Sequence, residues 1–166
     1  SFQARWNEEQ IQVDGWSANE ISALEQSGLL GSVERSQWIP VAQGSTVRLV
    51  RVSETEVGVF DPNAANVYTL LYSAQPNEMV AQWPTISKKG QLFRVNRSEN
   101  TIEGYYLSGA MLDYFPLPAP DSVRWVGSPL LADLNGDEEQ ELLLVGQNPY
   151  ATLLYAYTLQ GEPLLG

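Results

Sequence analysis

From Thr46 onward the chain is a succession of short β-branched and aromatic runs broken by turn residues at close intervals, the pattern of a domain built from antiparallel strands. Thr46 to Val52 and Glu56 to Phe60 pair across Ser53-Glu54-Thr55, and Asp61-Pro62-Asn63 ends the second strand. Val67 to Ser73 and Glu78 to Trp83 flank a turn at Ala74-Gln75-Pro76-Asn77. Leu92 to Val95 and Thr101 to Leu107 flank Asn96 to Asn100, and Ala110 to Phe115 follows the tight Ser108-Gly109 turn as a further strand. Pro116, Pro118 and Pro120 then interrupt the pattern, because none can donate to a sheet ladder, and mark a joint between sheets.

The first third reads differently. Ser17-Ala18-Asn19-Glu20 fits a capping box, in which hydroxyl and carboxylate satisfy free amides at a helix start, and Gly28 supplies a left-handed stop. These predict a short helix from Ala18 to Ser27 with Ile21 and Leu24 on one face, preceded by an extended piece from Phe2 to Val13. The expected organisation is an N-terminal segment, residues 1–45, packed on an antiparallel β domain, residues 46–166. Laid over each other, Thr101 to Leu112 and Thr152 to Leu164 match in outline, sharing Leu107 with Leu159, Gly109 with Gly161 and Leu112 with Leu164; Val67 to Pro84 is a looser third copy. The repeat suggests blade-like antiparallel sheets.

Nine Lys plus Arg stand against 20 Asp plus Glu, a net charge of −11. That sign disfavours nucleic acid, whose partners neutralise phosphates with clustered cations, and anionic membrane surfaces alike. No apolar run nears the roughly 18 residues of a membrane helix. With no His and no Cys, the chain lacks the usual zinc ligands, thiol chemistry and His-activated nucleophiles, so a metal here would be held by oxygen.

One segment has the composition for that. Asp133-Leu-Asn-Gly-Asp-Glu-Glu-Gln-Glu141 places side-chain oxygens at positions 1, 3, 5 and 9 and a carbonyl at position 7. A hard cation such as calcium takes about six to eight oxygens, and a tight loop can wrap such a set around one centre. Carboxylates so close together repel one another without a counter-ion. The loop is not an EF-hand: position 12 is Leu144, where that motif needs a bidentate Glu, and the flanking segments Leu130 to Ala132 and Leu142 to Val145 read as strands.

On these residues, Ser128 to Gly146 resembles the FG-GAP or VCBS-type repeats of integrin-like β-propellers, which carry Asp-x-Asp/Asn-x-Asp-Gly-x-x-Asp/Glu between two strands. The resemblance covers about one blade, Trp125 to Gly166. It implies calcium held by Asp133, Asn135, Asp137 and Glu141 with the Glu139 carbonyl, and a role in adhesion or assembly. Glu138 stands where the family usually has Gly, and a non-glycine residue tolerates a left-handed turn poorly, which points either to weak calcium binding or to a hairpin that has lost the ion.

Other features carry blander readings. Trp6, Trp16, Trp38, Trp83 and Trp125 are stacking platforms or core, with core favoured. Glu54, Glu56, Asp61, Glu78, Glu103 and Asp113 are available for a glycosidase-type carboxylate pair. Lys88-Lys89 and Arg94-Arg97 read as surface cations paired with acids such as Glu99 and Glu103. The sequence therefore predicts a mainly β protein of about ten strands in two or three blade-like sheets, a partial or irregular β-propeller with a short N-terminal helix. Its expected function is that of a non-enzymatic, calcium-stabilised module outside the cytoplasm, periplasmic or secreted, binding a protein or glycan partner without membrane insertion. The alternative is a carbohydrate-active enzyme or its sugar-binding accessory domain.

Overall fold

A computed structural model of the protein describes residues 4–7, 10–13, 15–31, 36–53, 55–73 and 83–164. The chain forms two compact units, Ser1–Pro76 and Asn77–Gly166. It is mainly β: the described residues form thirteen strands in four antiparallel sheets, none closed into a barrel, with one α-helix. No helix among them is long and apolar enough to cross a membrane.

In the first unit, strands β1 (Ala4–Asn7) and β2 (Gln10–Val13) form a hairpin, followed by helix α1 (Ala18–Gln26). The helix starts where the capping box predicts. Glu20 N donates to Ser17 Oγ at 3.4 Å while Ser17 N donates back to the Glu20 carboxylate at 2.6 Å. Those contacts, with one from Asn63, hold the Glu20 carboxyl below its usual range. Gly28 then turns left-handed at φ 73°. Strands β3 (Ser36–Gln43), β4 (Thr46–Ser53), β5 (Glu56–Phe60) and β6 (Tyr68–Ser73) form a sheet in chain order.

Strands β4 and β5 are buried on both faces over Leu49 to Ser53 and Val57 to Phe60. Val47, Leu49 and Phe60 point to a core shared with Val13 and Leu24, against which Ile21 and Trp16 pack. The Trp16 indole donates to the Val47 carbonyl at 2.8 Å. Residues 36–43, read from sequence with the N-terminal segment, are thus the first strand of this sheet. Pro40 hides that strand from a sequence reading, yet β3 is an edge, where a residue without an N–H is tolerated. The expected turn at 74–77, the strand Glu78 to Trp83 except its last residue, and part of the third repeat copy lie outside the described residues.

In the second unit, β7 (Thr85–Ile86), β8 (Gln91–Asn96), β9 (Thr101–Tyr106) and β10 (Leu117–Pro118) form a sheet in the order β10-β9-β8-β7. Strands β11 (Arg124–Ala132), β12 (Glu141–Gln147) and β13 (Thr152–Tyr157) form the next. Phe93, Val95 and Ile102 from one and Trp125, Leu142 and Leu144 from the other meet in a common core with Leu112 and Phe115. Tyr155 and Tyr157 approach Trp125 edge-on, at ring separations of 5.2 and 6.4 Å. Asn100 ties the sheets together: its amide donates to Val123 O at 2.8 Å and its side-chain oxygen accepts from Trp125 N at 3.0 Å.

The proline-rich stretch is the joint, running from β10 on the edge of one sheet to β11 of the next. The strand expected over Ala110 to Phe115 is reduced to a single bridge, Tyr105 to Met111, flanked by bonds from Tyr106 N to Ala110 O and from Leu112 N to Gly104 O. Phe115 N then closes a turn on Leu112 O, and Pro116 has no N–H to continue the ladder.

Candidate functional site

The sequence-predicted loop sits at the tip of the β11–β12 hairpin. Leu131 pairs with Leu142, and Ala132 with Glu141, before the chain leaves the ladder. Residues 133–139 are exposed, and they fold on their own side chains. The Asp133 carboxylate accepts Gly136 N at 2.7 Å and Glu138 N at 3.0 Å. Asn135 Oδ1 accepts Asp137 N, and Asp137 Oδ1 accepts Glu139 N, both at 2.9 Å. Asn135 Nδ2 donates to Asp137 Oδ2 at 2.9 Å. The residue between each of these pairs is left-handed, Gly136 at φ 81° and Glu138 at φ 72°. Position 138 thus holds a glutamate in the left-handed conformation that glycine favours.

Asp133, Asn135 and Asp137 are thus brought together, each lacing the loop. Glu141 is buried, 4% exposed, and its Oε2 accepts Leu134 N at 2.7 Å, so it anchors the loop from the strand side. The Glu139 carboxylate points instead to Lys89 Nζ. Among the described residues no group of three or more acids stands ready to hold an ion. In kind, however, the donors suit a hard cation: the side-chain donors are oxygens at the required spacing, and each carboxylate oxygen keeps a lone pair beyond the amide it accepts.

Two contacts at this site escape a sequence reading. Lys88 N donates to Gln140 Oε1 at 2.7 Å, and Lys89 pairs with Glu139. Both span about fifty residues, so the turn before β8 braces the hairpin tip. Between them opens a polar cleft of about 360 Å³, lined by Lys89, Gln91, Asp137, Gln140, Glu141 and Thr158 among others.

Among the described residues, the carboxylates offered for an acid–base pair are engaged elsewhere or exposed. Glu56 pairs with Arg51, Asp61 with Arg48 at 2.7 Å, and Glu103 with Arg94 at 2.6 Å. Burial alone pushes the Glu103 carboxyl up, but hydrogen bonds from Arg94, Asn96 and Tyr105 and the Arg94 charge outweigh it and hold it below the ordinary range. Burial raises the Tyr105 hydroxyl to about 12, as does its bond to Glu103. Asp113 is exposed; Glu54 and Glu78 lie outside the described residues. Of the tryptophans, Trp125 is buried and Trp16, Trp38 and Trp83 half-buried, while the side chain of Trp6 falls outside the description. Among the described residues the most exposed aromatics are Tyr150 at 95% and Tyr114 at 66%.

Comparison with protein-family models gave no match, and comparison with curated proteins gave none either.

Proposed function

We propose that this protein is a non-enzymatic β module, stabilised by calcium at the 133–141 hairpin tip, that works by binding a protein or glycan partner outside the cytoplasm. The observation that carries the reading is the tip itself: Asp133, Asn135 and Asp137 share one tightly turned loop with Glu141 at its base. Calcium supplies charge there, offsetting the repulsion among the carboxylates. Asp133, Asn135, Asp137 and Glu141 give side-chain oxygens and Glu139 its carbonyl, as the resemblance to FG-GAP and VCBS-type repeats implies.

Affinity on this reading is low. Glu138 holds a conformation that favours glycine, and Lys89 places a competing cation beside Glu139. Loops of such modest affinity, with Kd of about 10⁻⁴ to 10⁻³ M, belong to extracellular modules, where calcium is abundant enough to fill them. A binding role is favoured over catalysis because Glu56, Asp61 and Glu103 are each committed to an arginine, and Glu103 is held ionised rather than poised as an acid. Titration calorimetry with calcium tests the proposal. One saturable site in the native chain, absent in Asp137→Ala and not reproduced by magnesium, is the expected result. No heat at millimolar calcium overturns it.

A further inference from the structure

The internal repeat is visible in the backbone as well as in the residues. Tyr106 N to Ala110 O, Gly109 N to Tyr106 O and Leu112 N to Gly104 O recur as Thr158 N to Glu162 O, Gly161 N to Thr158 O and Leu164 N to Ala156 O. The bridge from Tyr105 to Met111 recurs from Tyr157 to Pro163, so every one of these bonds repeats 52 residues on. Gly109 and Gly161 share the same left-handed turn, at φ 89° and 85°.

Strand register extends the correspondence across each sheet. Phe93 pairs with Gly104 and Val95 with Ile102; Leu143 pairs with Ala156 and Val145 with Leu154. The equivalent positions are therefore Phe93 and Leu143, Val95 and Val145, Ile102 and Leu154, Gly104 and Ala156. Their surroundings differ sharply. Phe93, Val95 and Ile102 are 0 to 1% exposed, covered by the next sheet through Trp125, Leu142 and Leu144. Leu154 is 68% exposed, and Leu130, which pairs with Leu143, is 63% exposed. Val126, Leu143, Val145 and Ala156 complete this outer face and are half-buried. Likewise Leu112 is 4% exposed and its equivalent Leu164 is 38%.

A sheet apolar on both faces belongs inside a layered structure, with something packed on each side. The repeat says what that is, because the same face one repeat earlier already carries its occupant. We propose that the outer face of the β11-β12-β13 sheet is a docking surface for one further antiparallel sheet, presenting an aromatic and aliphatic face like that of Trp125, Leu142 and Leu144. This inference goes beyond the calcium reading and stands without it.

The chain has no cysteine, so single thiols make clean reporters. The probe is a second copy of residues 113–164 fused after Gly166 of the full chain. Alkylation of the thiol in Leu154→Cys is expected to slow more than tenfold in the extended chain, while Tyr150→Cys, in the β12–β13 turn and off the face, keeps its rate. Adding Val145→Lys to the extended chain should restore fast labelling. Unchanged labelling of Leu154→Cys, or an added copy that stays unfolded by circular dichroism, overturns the proposal. So does protection of Leu154→Cys in the unextended chain through dimerisation in the ultracentrifuge, which would make a second copy the occupant.

Discussion

Glu138 is held at φ 72° by its place in the loop, since its own N–H is taken by Asp133 and the next one by Asp137. A left-handed non-glycine residue costs roughly 1–2 kcal/mol, whereas a new glycine costs about 0.4–1 kcal/mol through the unfolded chain. The strain term is the larger, so Glu138→Gly should stabilise the protein by about 0.5–1 kcal/mol in urea denaturation, and should tighten calcium binding in calorimetry. Glu103 carries the opposite lesson. It is 8% exposed and accepts from Arg94, Asn96 and Tyr105, so Glu103→Ala removes the acceptor those three groups share and should cost about 3 kcal/mol. Because the folded-state carboxyl lies below its ordinary value of 4.5, the stability it contributes is present above that pH and is lost as pH falls through the lower value. Denaturation midpoints followed downward from neutral pH should therefore fall less steeply below about 4.5 in the variant than in the native chain.

Among the elements, the two hairpin units of the repeat invite a direct comparison. A methyl group on Gly104 would meet Leu112 Cδ1 at 2.8 Å and Phe115 Cγ at 3.0 Å, so Gly104→Ala should destabilise by about 1–3 kcal/mol. At the equivalent Ala156 the methyl is already there and half-buried, so Ala156→Gly should cost only the roughly 0.5–1 kcal/mol of a glycine in a strand. Thermal melts of the pair decide it; equal losses would contradict the register assignment. Much at this scale was legible in the sequence. The capping box around Ser17 and the β-branched runs of Thr46 to Phe60 are local signals, and local geometry decides both elements. The spacing of oxygens from Asp133 to Glu141 is equally local, so the tight turn and its left-handed position 138 are legible in the residues. Strand β3 was missed because Pro40 reads as a breaker unless one knows that the strand is an edge. The pairing of Lys89 with Glu139 depends on which turn lies beside the hairpin tip, and no local pattern encodes that.

For the molecule as a whole, a chain carrying a net charge of −11 concentrates several of its acids at one hairpin tip, where Lys89 answers the charge of Glu139. The proposed ion binds the folded loop and not the unfolded chain, so it must raise stability by RT ln(1 + [L]/Kd), about 2.7 kcal/mol at a hundredfold excess over Kd. For a domain of this length that corresponds to a rise in Tm of roughly 5–10 °C. At the millimolar concentrations where a weak loop is only part filled, the rise is smaller but still grows with each addition. The decisive measurement is a calorimetric melt of the native chain and of Asp133→Ala, each in millimolar calcium and in chelator. A calcium-dependent rise in Tm confined to the native chain is predicted; the same Tm in calcium and in chelator, with the hairpin intact, would contradict it.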